Sequence, residues 1–299
     1  MPHAAHIDPT ARWFLPADSL DRMVGLLLGE GYTVIAPTLR DGVIALRPIE
    51  RADALPRGVG DEQDGGTYRL RRGDPELRFE YVVGPDSPKR YFFPPRQTLF
   101  QLHVEGRRFV VDQAGPPPPR LAFLGVRPCD LAAIAVQDRI FGADERQPAF
   151  RCESETYYQE TRRQSLIVAI NCSSPARTCF CTSMGTGPEV QPRQPFDLAL
   201  TELRGGFIAR CGSLRGRDLL ERLSPRPPSS AEIELELLKL DRARHRMGRC
   251  LDPDAARGAL ESSIEHPRWD QVAQRCLACG NCTMVCPTCF CSSVLDSSE

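Results

Sequence analysis

The sequence predicts an α/β domain with a parallel or mixed sheet over residues 1–228, followed by a small helical, cysteine-rich domain over residues 229–299. Two continuous apolar runs, Leu121–Val126 and Ser165–Asn171, read as buried strands with helical sequence between them, the signature of a βαβ unit. A Pro/Ser break, Ser224–Ser230, interrupts the chain after the last strand-like run. Beyond it the residues read as helices until a dense run of cysteines begins at Cys276.

Each element has its own signal. Leu20, Met23, Val24, Leu27 and Leu28 form an apolar stripe at helical spacing, with Asp18 or Ser19 as N-cap. Gly29 and Gly31 end that helix. Asp41-Gly42 between two β-rich runs signals a hairpin. Residues 67–72 (TYRLRR) and 77–83 (LRFEYVV) read as strands. Residues 84–97 place Lys89, Arg90 and Arg96 among aromatics and prolines. One reading is a basic loop facing an acidic partner or a cofactor phosphate. The plainer and preferred one is an irregular surface loop with buried aromatics. Residues 99–113 form a further hairpin, and Pro116–Pro119 a stiff connector.

After the strand Leu121–Val126 a helix is expected to begin near Asp130, which puts Cys129 where strand hands over to helix. A helix N-terminus lowers a thiol pKa and favours anions. Glu153–Gln164 reads as a helix. The strand Ser165–Asn171 ends at Cys172, and a Gly/Ser/Thr-rich loop with Cys179 and Cys181 follows. In open α/β sheets, ligands gather beyond the carboxyl ends of the strands. Cys129, Cys172, Cys179 and Cys181 are therefore a candidate second metal site, against the alternative that buried cysteines act as small apolar residues. Residues 196–212 give two more strands. Residues 231–250 are helical, acidic at the start and basic at the end, which suits the helix dipole. Residues 253–264 and 267–276 give two further helices. Cys152, Cys211 and Cys250 stand apart in the sequence and read as structural, and His245 and His266 as surface residues.

The most specific pattern closes the chain. Cys276, Cys279 and Cys282 are each separated by two residues, three more lead to Cys286, and Pro287 follows. This C-x2-C-x2-C-x3-C-P run is the bacterial ferredoxin pattern for a 4Fe–4S cluster. Thiolates at that spacing can curl around one face of a cuboidal cluster. Gly280 permits the tight turn between ligands, and Pro287 turns the chain away. A zinc site usually offers two C-x2-C pairs a dozen or more residues apart, which fits poorly. The C-terminal segment is accordingly expected to be a small helical ferredoxin-like iron–sulfur domain. In two-cluster ferredoxins the Cys before Pro ligates the other cluster, so Cys289 and Cys291 are additional candidate ligands.

Composition sets the limits. The 299 residues carry a formal net charge of -1, which favours no nucleic-acid or polyanion partner. No run approaches the roughly 18 apolar residues of a membrane span, and the N-terminus lacks a secretory signal. A cytoplasmic location is expected, where thiols stay reduced, so the 13 cysteines point to metal ligands rather than disulfides. Lys89 and Lys239 are the only lysines. There is no G-x-G-x-x-G fingerprint, P-loop or nucleophile elbow, and Gly185-Thr186-Gly187 is a weak phosphate-loop echo.

Several segments in fixed order carry a resemblance: GYTVIAPTLRDG, LPRGVGDEQDGGTYRL, GPDSPKRYFFPPRQ, LGVRPCDLAAI, NCSSPARTCFCTSMGTGP, FDLALTEL and CLACGNCTMVCPTCFC. Together they resemble the beta subunits of sulfhydrogenases, the NADP-linked nickel–iron hydrogenases, and the related anaerobic sulfite reductase A subunits. The resemblance implies a non-catalytic electron-transfer subunit. It would pass electrons between a flavin/NAD(P)H-binding subunit and the nickel–iron hydrogenase subunits through 4Fe–4S clusters. The alternatives are the same role in an anaerobic sulfite reductase and, from another class, a zinc-bearing scaffold subunit without redox activity. Members of the family normally carry a second C-x2-C-x2-C-x3-C-P run, whereas this sequence reaches Glu299 without one. It is expected to be a truncated version, cut after the first C-terminal cluster motif.

Overall fold

The computed structural model describes residues 11–84, 86–113, 117–143 and 156–296. Cys152, the start of the helix expected from Glu153, and Pro116 of the proline connector lie outside the described residues.

The chain opens with β1 (Trp13–Pro16), α1 (Ser19–Gly29), β2 (Thr33–Arg40) and β3 (Val43–Ile49). In α1 the expected stripe is buried at Leu20, Met23, Val24 and Leu27. The β2–β3 turn holds Asp41 and Gly42 at φ of 51° and 77°, the doubly left-handed turn that suits a twisted hairpin. Next come β4 (Val59–Asp64) and β5 (Thr67–Arg72), which pair antiparallel.

Residues 77–83 are not the strand that their alternation predicts. Leu77, Phe79 and Tyr81 are buried as the pattern requires. The backbone of this segment is held by side chains instead of a neighbouring strand. The Arg78 and Phe79 N–H groups donate to the Glu202 carboxylate at 2.7 and 3.0 Å, and Val82 N–H donates to Asp61 at 2.8 Å. The Phe79 and Tyr81 carbonyls accept from the Arg127 guanidinium at 2.9 and 2.6 Å.

After the short α2 (Lys89–Phe92), the hairpin of β6 (Phe100–Glu105) and β7 (Arg108–Gln113) stands outside the main sheet. Its register puts Leu102 opposite Val111 and Val104 opposite Phe109 on one face, and all four are exposed. Then follow β8 (Leu121–Val126), α3 (Pro128–Ile140), α4 (Thr156–Gln164) and β9 (Leu166–Ile170). Next are β10 (Leu198–Leu203), β11 (Gly206–Cys211), α5 (Leu214–Arg222) and α6 (Ser230–His245). The chain continues through α7 (Pro253–Ser262), α8 (Arg268–Gln274) and α9 (Asn281–Val285).

Among the described residues the main sheet has seven strands in the order β1-β11-β10-β9-β8-β2-β3. β2, β8, β9 and β10 run parallel, and β3, β11 and β1 run antiparallel to their neighbours, so the sheet is mixed. Every residue of β8, β9 and β10 is buried, because helices cover both faces. Ala122 and Leu124 of β8 face the cluster that takes in α1 and α5, while Phe123 faces Leu131, Ile134 and Tyr158 of α3 and α4. The parallel strands carry their C-terminal ends to one edge, where Arg127 and Asn171 emerge. α6 lies against that edge region: its Glu236 accepts from Thr201 Oγ1 at 2.7 Å, and Thr201 in turn accepts from Asn171 at 2.8 Å.

Candidate functional site

Cysteines form two groups, one in the C-terminal run and one at the sheet edge. In the run, Ala278 and Gly280 adopt left-handed φ of 52° and 71°, and Gly280 opens α9. This is the turn expected between ligands. Ala278 N–H donates to Cys276 Sγ at 3.3 Å. Cys276, Cys279, Cys282 and Cys291 are exposed, while Cys286 and Cys289 are half-buried. Cys286 Sγ lies 3.1 Å from Thr288 Oγ1. Hydrogen bonds from the Thr288 side chain and backbone pull the Cys286 thiol below its ordinary pKa. Its neighbour Cys289 moves the other way, chiefly because it shares a hydrogen bond with Cys286.

The run is tied to the α/β domain by Lys89, which is 5% exposed. Its ammonium donates to the Thr283 carbonyl at 2.9 Å, to the Cys286 carbonyl at 2.8 Å, and to the Cys289 carbonyl. Phe290 packs edge-on against Phe141 with ring centroids 5.6 Å apart. The expectation for residues 84–97 is thus corrected in part. Aromatics are buried, with Phe92 set 4.8 Å from Phe123. The lysine, however, is turned inward onto the cysteine run and is no part of a surface loop.

The second group is assembled by topology. α3 begins at Pro128, two residues before the expected start, because a proline suits the first helical position. Cys129 therefore lies within its first turn. Cys172 follows β9, and Cys179 and Cys181 lie in the next loop. The four thiols act on one another electrostatically. Desolvation first, then Asp130 and the other three thiols, pushes the Cys129 thiol well up although one side of the residue is open to solvent. This is the opposite direction to the lowering that a helix N-terminus suggests from the sequence. Desolvation also raises Cys172 and Cys179, and takes Cys181 to about 11.

This loop is clamped from several sides. Cys172 N–H donates to Pro188 O at 2.9 Å, and Arg249 N–H donates to Cys179 O at the same distance. Ala176 N–H donates to Cys179 Sγ at 3.3 Å. At Gly187 an added Cβ would lie 3.0 Å from Cys181 Sγ, so the missing side chain lets the loop close over that thiol. At Gly248 it would lie 2.1 Å from the Arg177 carbonyl, so only glycine fits where the chain beyond α6 crosses the loop. Met247 Sδ is 4.0 Å from Cys181 Sγ. Cys250 is not the isolated residue expected from sequence, since its sulfur accepts from Ser183 Oγ at 3.8 Å in the same loop. Cys211 is buried in β11.

Among the described residues, no three His, Cys, Asp or Glu side chains are gathered tightly enough to hold a single metal ion. A cuboidal iron–sulfur cluster makes a different demand, because it spreads its thiolates over separate corners. Both groups offer its donor chemistry: several thiols, with amide N–H groups directed at sulfur.

No protein-family model matches the chain. Sulfhydrogenase 2 subunit beta of Pyrococcus furiosus is 28% identical over 253 residues, which is 83% of this chain and 71% of that protein. The chain is thus similar to that subunit over most of its length.

The sequence pattern locates the cysteines but not what holds them. Lys89, Arg127 and the Met247–Arg249 crossing carried weak signals at best. Lys89 stood out only as one of two lysines, and Gly248 only as a glycine just past a helix.

Proposed function

We propose that the chain is an electron-transfer iron–sulfur subunit of a hydrogenase-type oxidoreductase complex, working between a flavin/NAD(P)H-binding subunit and nickel–iron hydrogenase subunits. The observation that carries this reading is the C-terminal run. It is an exposed set of thiols at ferredoxin spacing, fastened to a rigid α/β domain. The relative's name, a sulfhydrogenase subunit, supports it.

Cys276, Cys279, Cys282 and Cys286 would hold a 4Fe–4S cluster, with residues 229–299 acting as the ferredoxin-like domain. Such a group supplies one-electron transfer when bound. The protein's own part is to orient the sulfurs, direct N–H groups at them and set their exposure. Cys129, Cys172, Cys179 and Cys181 would hold a second cluster at the sheet edge, and Cys289 and Cys291 are additional ligand candidates. The apolar face of the β6–β7 hairpin, exposed at Leu102, Val104, Phe109 and Val111, is a surface for a partner subunit to cover. Among the described residues no helix is long and apolar enough to cross a membrane. The thiol-rich composition suits the reducing cytoplasm.

The test is iron and acid-labile sulfide per chain on anaerobically purified protein, with EPR after reduction. About eight irons are expected, falling to about four in Cys172→Ala and likewise in Cys279→Ala. Zinc in place of iron would overturn the reading.

A further inference from the structure

We propose that Lys89 is the positioning residue of the C-terminal cluster: it seats the ligand loop on the α/β domain and places a positive charge that raises the cluster's reduction potential. The inference rests on the reading of Cys276, Cys279, Cys282 and Cys286 as cluster ligands, and it goes further by assigning their control to a residue of the other domain.

The ammonium of lysine has three donors and no acceptor. Here three backbone carbonyls take them, those of Thr283, Cys286 and Cys289. Two belong to cysteines of the run, and Thr283 directly follows a third, Cys282. Lys89 itself is fixed, because Phe92 in the same short helix is buried against Phe123 and Tyr158. Lys89 thus fastens the ligand loop to the α/β domain at three backbone carbonyls, alongside the Phe290–Phe141 contact. Carbonyls are neutral partners, so they bring no negative charge to offset the ammonium's. A thiolate-bound cluster is negative and becomes more so when it takes an electron. A cation held beside it therefore favours the reduced state.

The test uses Lys89→Met, which keeps the stem and removes the charge, and Lys89→Arg, which keeps the charge. Both are made in the full chain and purified anaerobically beside the wild type. The readouts are iron content, an EPR-monitored dithionite titration, and nicking within residues 276–291 by a nonspecific protease. In Lys89→Met the reduced-to-oxidised ratio at fixed potential is expected to fall about tenfold, a midpoint about 59 mV lower for one electron, with faster nicking. Lys89→Arg is expected to stay close to the wild-type midpoint. If Lys89→Met loses its iron while its circular dichroism is unchanged and Lys89→Arg keeps iron, the seating role is supported. An unchanged midpoint in iron-loaded Lys89→Met overturns the proposal, as does an equal fall in both variants. Wild-type protein without iron would instead sink the cluster reading, and nicking of the two variants would then decide the seating role alone.

Discussion

The two cysteine groups are made in opposite ways. The C-terminal run takes its geometry from spacing: its first four cysteines lie within Cys276–Cys286, a left-handed glycine turns the chain between them, and most of the thiols are open to solvent. The sheet-edge group takes its geometry from topology. Cys129 follows one parallel strand and Cys172 the next, and Cys179 and Cys181 are brought in by a clamped loop. Local encoding leaves the run readable and exposed, held to the α/β domain by Lys89 and by Phe290 on Phe141. Topological encoding scatters a site along the sequence but draws it together at the ends of buried strands, where desolvation raises the pKa values of its thiols.

The largest test of this contrast is Arg127→Met. Arg127 is 2% exposed and its guanidinium donates to Phe79, Tyr81 and Asn171 carbonyls beside the sheet edge. Losing it strands buried acceptors, and a stability loss of about 3 kcal/mol is expected in urea unfolding. On the function proposed above, metal at the edge group should be lost while the C-terminal run keeps its own. Loss at both groups together would break the contrast.

Gly248→Ala is a smaller perturbation aimed at the clamp alone. Its Cβ would meet the Arg177 carbonyl, so the crossing chain must shift. A cost of roughly 1–3 kcal/mol is expected. Altered reactivity of Cys179 and Cys181 toward a thiol reagent, with Cys276 and Cys279 unchanged, would sharpen the contrast.

The smallest expected effect concerns α6, which leads from the sheet toward both groups. Glu232 caps its first turn and pairs with Arg226, whose hydrogen bond lowers the carboxyl from 4.5 to about 2. A folded pKa below the unfolded one means the contribution is present above about 4.5 and lost as pH falls toward about 2. The Arg226 end is open to solvent, so Glu232→Gln should remove less than about 1 kcal/mol at neutral pH and flatten the acid limb of the stability curve. An acid limb identical to wild type would show that the cap contributes nothing.

Much of the α/β domain was legible because its signals are local. The stripe of α1, the Asp41-Gly42 turn and the apolar runs of β8 and β9 each specify their element within a few residues. Residues 77–83 were misread because their alternation reports burial, while the backbone partners come from Asp61, Arg127 and Glu202, up to 124 positions away. Lys89 was misread for the same reason: its carbonyl partners begin 194 positions downstream. Cys250 looked isolated because Ser183 precedes it by 67. In each case a polar group was satisfied by a partner that no window of sequence contains.

Both lysines are engaged inside the fold. Lys89 holds the cysteine run, and the half-buried Lys239 donates to the Glu202 carbonyl at 2.8 Å. A lysine-specific endoprotease needs its target residue freed and extended in its cleft, so the native chain offers it no ready cleavage point. Each of its two cuts then becomes a clock for a different event: release of the C-terminal run at Lys89, and detachment of α6 at Lys239.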